Sequence, residues 1–289
     1  MAIKRWTAGA ADGNWSTAGN WSPSGAPVST DDVFVEETNE DIDAGLNQSA
    51  VALSSLNIAQ SFVGTIGTKD SPLQIGASDV RIGYRTSGTG TPAGSRRIHL
   101  DLGSATAAQV NVDGTASSAA DTGLNPLRIK AANAATDIYI RGGFVSVADY
   151  PGETSTLDLS VSAGTVSLGQ SNNNTAVTMV GVAITGGSSV IRSMPTTLIV
   201  EGGSCTTEGD GAITTANVRG GTAVFNNTGT ITTLNAHKGT SDFTKSQTPR
   251  TVTTVNMKVG ARLNYEPDVL TLTNRINVDE TRAVGVTVS

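Results

Sequence analysis

Glu201, Glu208 and Asp210 lie within ten residues of one another, and two carboxylates on one face are what glycoside cleavage requires. A working pair also needs a groove with aromatic rings for the sugar. The nearest rings, Phe225, Phe243 and Tyr265, fall at positions expected to point inward, so these acids, like Asp158 and Asp242, read as solvated groups. His99 and His237 are far apart. His99 sits in the alternating stretch Arg97-Ile98-His99-Leu100-Asp101-Leu102, where it shares a face with Arg97 and Asp101, and His237 falls in a polar row. No His/Cys/Asp spacing suits zinc, and no Asp-x-Asp-x-Asp-Gly loop suits calcium. The Gly-Gly pairs lack the Gly-x-Gly-x-x-Gly context of a phosphate cradle, and no serine sits in Gly-x-Ser-x-Gly before a helix. The expectation is therefore no catalytic residue, no metal and no cofactor. The lone cysteine, Cys205, excludes an internal disulfide. It stands two residues after a recurring glycine, in line with Val145, Val166, Ala223 and Ser241, so it is expected in the core with a raised thiol pKa.

That recurring glycine is the organising element. The last glycines of Arg141-Gly142-Gly143, Ser162-Ala163-Gly164, Thr185-Gly186-Gly187, Glu201-Gly202-Gly203, Arg219-Gly220-Gly221, His237-Lys238-Gly239 and Lys258-Val259-Gly260 are 21, 23, 16, 18, 18 and 21 residues apart. Such a step is the coil length of a β-solenoid, in which each repeat contacts only its neighbours. Asn217, Asn235, Asn256 and Asn274 keep the same step, at 18, 21 and 18 residues, inside Thr-Thr-x-Asn-like stretches. Stacked about 4.8 Å apart, their amides are expected to form a ladder. Val147, Leu168, Thr207, Phe225 and Phe243, with Tyr265 one residue late, form an inward file. Arg141, Ser162, Thr185, Glu201, Arg219, His237 and Lys258 form an outward row in which Glu201 and Arg219 are placed to pair.

Composition agrees with an all-β chain. Aromatic residues make up 4% and charged residues 15%, and short alternating runs such as Asp137-Ile138-Tyr139-Ile140 outnumber helical patterns. A net charge of −6 argues against a partner held by phosphate contacts, so no nucleic acid is expected. No apolar stretch is long enough to span a bilayer, so no membrane is expected either. The N-terminus shows no apolar segment of the secretory kind.

Three regions are expected. Residues 1–45 form an irregular, tryptophan-bearing cap or anchor region; 46–289 form the solenoid, irregular over 46–135, regular over 136–275 and capped by 276–289. Leu53 to Asn57 resembles the later Thr-Thr-x-Asn element, so coiling starts early, and the Gly/Ser/Thr loop over 85–95 is the clearest insertion. Trp15 and Trp21 are suited to burying their rings over the first coil. Trp6, beside Lys4 and Arg5, is the better anchor candidate, and Trp6, Trp15, Trp21, Lys4 and Arg5 together make the expected partner-binding set.

Gly13-Asn14-Trp15-Ser16, then Gly19-Asn20-Trp21-Ser22, Gly25-Ala26-Pro27 and Asp31-Asp32-Val33-Phe34-Val35, resemble the start of many parallel β-helix surface and phage structural proteins. The resemblance covers about the first 60 residues and implies a right-handed parallel β-helix displayed on a particle or cell surface. With no export signal in view, it implies a phage virion protein made in the host cytoplasm. The expected function is non-enzymatic: a head decoration or cement protein, forming a homotrimer and bound to the major capsid protein or other virion proteins. The alternatives are a tail spike or fibre binding a host surface glycan, or a secreted β-helix adhesin.

Overall fold

The computed structural model describes residues 1–84, 97–115, 125–149, 156–169, 178–274, 276–278 and 285–288. The expected insertion over 85–95 and most of the tail beyond 278 lie outside the described residues. The described chain is all-β apart from a 3-10 turn at Ala18–Asn20, and it divides into two compact units, Met1–Leu157 and Asp158–Ser289. Each is a parallel β-solenoid.

In the second unit each coil contributes two strands separated by a glycine corner. One row stacks Thr178–Ile184, Pro195–Val200, Ile213–Val218, Ile231–Ala236 and Arg250–Met257 in parallel. The other stacks Thr165–Leu168, Ser188–Ile191, Ser204–Thr207, Thr222–Phe225, Gly239–Asp242 and Ala261–Tyr265. In the first row the inward residues follow a three-then-two spacing: Ile213, Ala216 and Val218 lie beneath Ile231, Leu234 and Ala236, and then Val252, Val255 and Met257, all buried. The register pairs Ile213 with Ile231 and Thr215 with Thr233, skipping Thr214 and Thr232, so every coil bends at the same place. The Thr-Thr dipeptide supplies the two successive outward side chains that this bend requires.

Corner geometry accounts for the glycines. Gly164, Gly187, Gly203, Gly221 and Gly239 all have φ between 64° and 90°, a region that costs other residues roughly 1–2 kcal/mol. They also stack on one another. The carbonyls of Gly164, Gly187, Gly203 and Gly221 accept hydrogen bonds from the N–H groups of Ser188, Ser204, Thr222 and Thr240 at 2.9–3.0 Å. A methyl group on Gly221 would stand 2.5 Å from the Gly203 oxygen, closer than any real contact.

The interior follows the expected file except at its end, where Tyr265 is only half-buried. Val147, Leu168, Cys205, Phe225 and Phe243 are buried, and Arg141, Glu201, Arg219 and Lys258 are exposed. Phe225 and Phe243 stack with centroids 4.8 Å apart and planes 17° from parallel, adding about 1 kcal/mol beyond burial. The amide ladder forms with one correction. Asn235 donates to Asn217 at 2.9 Å and Asn256 to Asn235 at 2.8 Å, but the next rung is Asn277, which donates to Asn256 at 2.8 Å. Asn274 instead donates to Thr254, because Leu270–Leu272 pairs with Arg250–Val252 and leaves Asn277 opposite Asn256. Gly285–Val288 adds a strand to Ala261–Tyr265 in the same way.

In the first unit, parallel pairing begins at Ile3–Trp6, inside the stretch expected to be a lead-in, and passes through Asp32–Val35, Asn47–Ala59, Leu73–Tyr84, Gln109–Val112 and Thr136–Ile140. The register builds one apolar column from Val33, Leu56, Val80, Val110 and Ile138, and a second from Val35, Ile58, Ile82, Val112 and Ile140. A further row stacks Ile98–Asp101, Leu127–Lys130 and Phe144–Val147.

The glycine column generates a paired test. Gly260 has φ 83° but nothing closer than 3.9 Å to an added methyl, so Gly260→Ala should cost only the conformational term, about 1–2 kcal/mol. Gly221→Ala adds a backbone collision and should lower stability clearly more in chemical denaturation. Equal losses for the two variants would contradict the stacked-corner account.

Candidate functional site

The N-terminal set expected to bind a partner is turned inward. Trp21 makes edge-to-face contacts with Trp6 at 5.1 Å and Trp15 at 4.7 Å, and its Nε1 donates to the Trp15 carbonyl at 2.7 Å. Trp6, read from sequence as the better anchor, is 2% exposed, so its ring closes the chain's own stack rather than facing a partner. Lys4 is opposite Val33 and ends the first apolar column. Its stem is buried, and its Nζ donates to the Pro23 and Ser24 carbonyls at 3.1 and 3.3 Å. Arg5 alone of the five reaches the surface, where it pairs with Glu36 at 2.5 Å and lies over the Phe34 ring.

Both Asn-Trp-Ser segments act as loop fasteners. Asn14 Oδ1 accepts from Ser16 N at 2.9 Å, and the fully buried Asn20 accepts from Ala10 N while donating to Asp12 Oδ1 and the Asn14 carbonyl. Hydrogen bonds from Thr17, the Asn14 backbone and Asn20 hold the Asp12 carboxyl below the usual carboxylate range.

The acids weighed for catalysis do not converge. Glu201 pairs with Arg219 at 2.9 Å and Glu208 with Arg192 at 3.1 Å, each across neighbouring coils. Asp210 and Asp158 are exposed, and Asp242 accepts from the backbone and hydroxyl of Thr244. Cys205 is 1% exposed, and burial pushes its thiol up to about 12, so it is inert near neutrality. Among the described residues no cluster of His, Cys, Asp or Glu is arranged to hold a metal ion.

Two arrangements escape a sequence reading. The first is a buried polar column in which His99 lies opposite Arg128 and Arg128 opposite Ser146, at 5%, 1% and 4% exposure. Arg128 donates to the Asp149 carboxylate and carbonyl, Asn125 to Ser146, and Lys130 to Asp101 at 2.8 Å. The alternating pattern places His99 on one face with Arg97 and Asp101. Both faces are in fact covered, which no spacing reveals. Burial, followed by the nearby Arg128 and Arg97 guanidiniums, lowers His99 to about 4. Its imidazole is neutral at neutral pH, and Arg128 separates it from Ser146, so the column lacks the base-to-nucleophile contact of an acyl-transfer site. The second is a surface concavity of about 470 Å³ lined by Arg219, His237, Lys238, Lys258 and Val259. Arg219, His237 and Lys258 are legible in the sequence as part of a polar row, but not as a groove with Lys238 and Val259.

His99 makes stability pH-dependent. The folded chain takes up this proton only near pH 4, the unfolded chain near 6.5, so between those values unfolding binds a proton and stability falls as pH falls. His99→Gln should flatten the decline in melting temperature between about pH 6.5 and 4. An unchanged acid limb would show that other groups carry it.

Searches against protein-family models, curated proteins and solved structures gave no match to this chain.

Proposed function

We propose that this chain is a non-enzymatic structural protein of a phage virion, a decoration or cement protein that binds the capsid exterior as a homotrimer and braces it. The observation that carries the reading is the use made of its charged side chains. Arg5–Glu36, Arg81–Asp113, Arg141–Asp113, Arg128–Asp149, Lys130–Asp101, Arg192–Glu208 and Arg219–Glu201 each join one coil to another. Each exposed pair contributes little alone, about 0–1 kcal/mol. Together with the amide ladder and the glycine corners, they tie successive coils at several points around the stack. Groups arranged this way resist separation of coils, which is the property a bracing protein needs.

Attachment is assigned to the N-terminal end. Asp31 is buried, and its carboxylate accepts from Ala2 N at 2.8 Å and Val28 N at 3.1 Å, gathering the two segments that carry Met1, Ile3 and Val28. Those three are 87%, 55% and 60% exposed, an apolar group beside Arg5 that suits a protein partner better than water. The capsid is the partner in this reading. A virion location accords with the resemblance of the Asn-Trp-Ser lead-in to phage β-helix proteins.

Two experiments test this. Cryo-electron microscopy of intact particles should place the protein on the capsid, and particles lacking it should break at lower temperature or milder osmotic stress. The double variant Ile3→Glu/Val28→Glu should leave the free protein's melting unchanged while releasing it from particles. Normal stability of particles lacking the protein would defeat the cement reading, and loss of host adsorption with normal stability would move the function to host recognition. Cleavage of host polysaccharide abolished by Glu208→Gln or Asp210→Asn would overturn the non-enzymatic assignment.

A further inference from the structure

We infer that one outward face of the first unit is the contact between copies of this chain, with the copies standing level side by side. The inference rests on the homotrimer reading above and gives it an interface. Two outward files run up that face, one on each side of the buried column from Val33 to Ile138. The first file is Ile3, Asp32, Ser55, Asp79, Gln109 and Asp137. The second, two residues further on in each coil, is Arg5, Phe34, Asn57, Arg81, Asn111 and Tyr139. All of these side chains are at least partly exposed.

The make-up of the face suits a protein contact. Aromatic residues are only 4% of the chain, yet Phe34 and Tyr139 lie in the second file and Tyr84 borders it. Each carries an arginine over its ring: Arg5 at 4.8 Å from the Phe34 centroid, Arg81 at 5.4 Å from Tyr84 and Arg141 at 6.0 Å from Tyr139. Tyrosine and arginine carry much of the binding energy at protein interfaces, lysine is depleted there, and no lysine stands in either file. Glu36 and Asp113 hold the three guanidiniums in place, so little side-chain freedom is lost on contact.

Self-complementarity selects a second copy as the occupant. A rotation axis parallel to the stack keeps the coils of neighbouring copies level and brings the first file of one against the second file of the next. Asp79 then meets Arg81 of the neighbouring copy, Gln109 meets Asn111 and Asp137 meets Tyr139, so three successive coils each set an acceptor against a donor. The groups needed are free for this. No side chain of the described residues pairs with Asp79 or Asp137. Arg81 gives only its Nε to Asp113, at 3.2 Å, and keeps its terminal nitrogens. Asn111 accepts from Arg141 through Oδ1 at 2.8 Å, which leaves its amide N–H groups to donate. The first coil takes no part in these pairs, so Ile3 and Arg5 stay available for the capsid.

The test is sedimentation-velocity ultracentrifugation of the full-length protein by itself, free of capsids. The native chain should sediment as a trimer. Asp79→Arg sets cation against cation at every contact and should weaken association by about a hundredfold or more, since like charges juxtaposed across an interface are strongly disfavoured. Asp79 is exposed and unpaired, so melting of this variant, followed by circular dichroism, should match the native chain. Asp79→Arg/Arg81→Asp puts opposite charges back across the contact and should recover association relative to Asp79→Arg. The control Asp158→Arg/Asp210→Arg reverses exposed acids on the second unit and should leave the trimer intact. A native trimer that Asp79→Arg leaves unchanged, or that the control disrupts equally, would overturn this interface while the homotrimer stands. A native chain that sediments as a monomer would overturn the homotrimer and the interface together.

Discussion

Everything in the second unit hangs on how closely one coil's backbone sits on the next at the glycine corner. From Gly164 to Gly221 the carbonyl of each corner glycine accepts from the residue after the following corner, and at Gly187, Gly203, Gly221 and Gly239 the gap has no room for a side chain. Because the φ there is positive, glycine meets two demands at once: the sharp turn and the close approach. With corners pinned, both strand rows are held in parallel register, and each inward position lies on the equivalent position one coil away. The stacked rings of Phe225 and Phe243 and the Asn217–Asn235–Asn256–Asn277 ladder are consequences of that registration, since neither contact forms if a coil slips by one residue.

A parallel stack leaves an open end, and the first unit shows how this chain closes one. The terminal strand Ile3–Trp6 pairs on its other side with the short antiparallel strand Trp21–Ser22, so its backbone groups are partnered. Lys4 and Trp6 then cover the ends of the two apolar columns, one with a methylene stem and the other with a ring. The Lys4 ammonium is satisfied by two loop carbonyls, which lets a charged residue occupy a core position. Tryptophan suits the cap because it brings the most apolar surface from a loop otherwise made of glycine, serine and asparagine.

Outward-facing chemistry is mostly structural. Ion pairs bridge coils, asparagines bridge coils, and the His99–Arg128–Ser146 column is buried rather than presented. Arg250 belongs to the same pattern: it is 4% exposed and donates to the Phe225, Ser246 and Thr248 carbonyls, fastening a turn to the coil before it. Against this background Lys238 and Lys258 stand out, because no carboxylate of the described residues pairs with them as Glu201 does with Arg219.

Sequence alone determined the fold class, the glycine corners, the inward file from Val147 to Phe243 and the burial of Cys205, because a stack imposes one local rule at each coil and the rule is visible as a period. It determined the type of the cap residues but not their direction. Trp6 reads as the better anchor from sequence, and only the register that places Lys4 on Val33 shows its ring turned into the stack. Asn274 carries the same local signal as Asn217, yet the ladder continues through Asn277, since only the pairing of Leu270–Leu272 with Arg250–Val252 decides which amide faces Asn256. His99 reads from sequence as one face of an alternating strand with Arg97 and Asp101, and tertiary packing buries it beside Arg128 because a pattern with period two reports the pleat and not what covers its second face. The groove beside Lys258 was hidden for the same reason: its residues are 18 to 21 positions apart, and only stacking makes them neighbours.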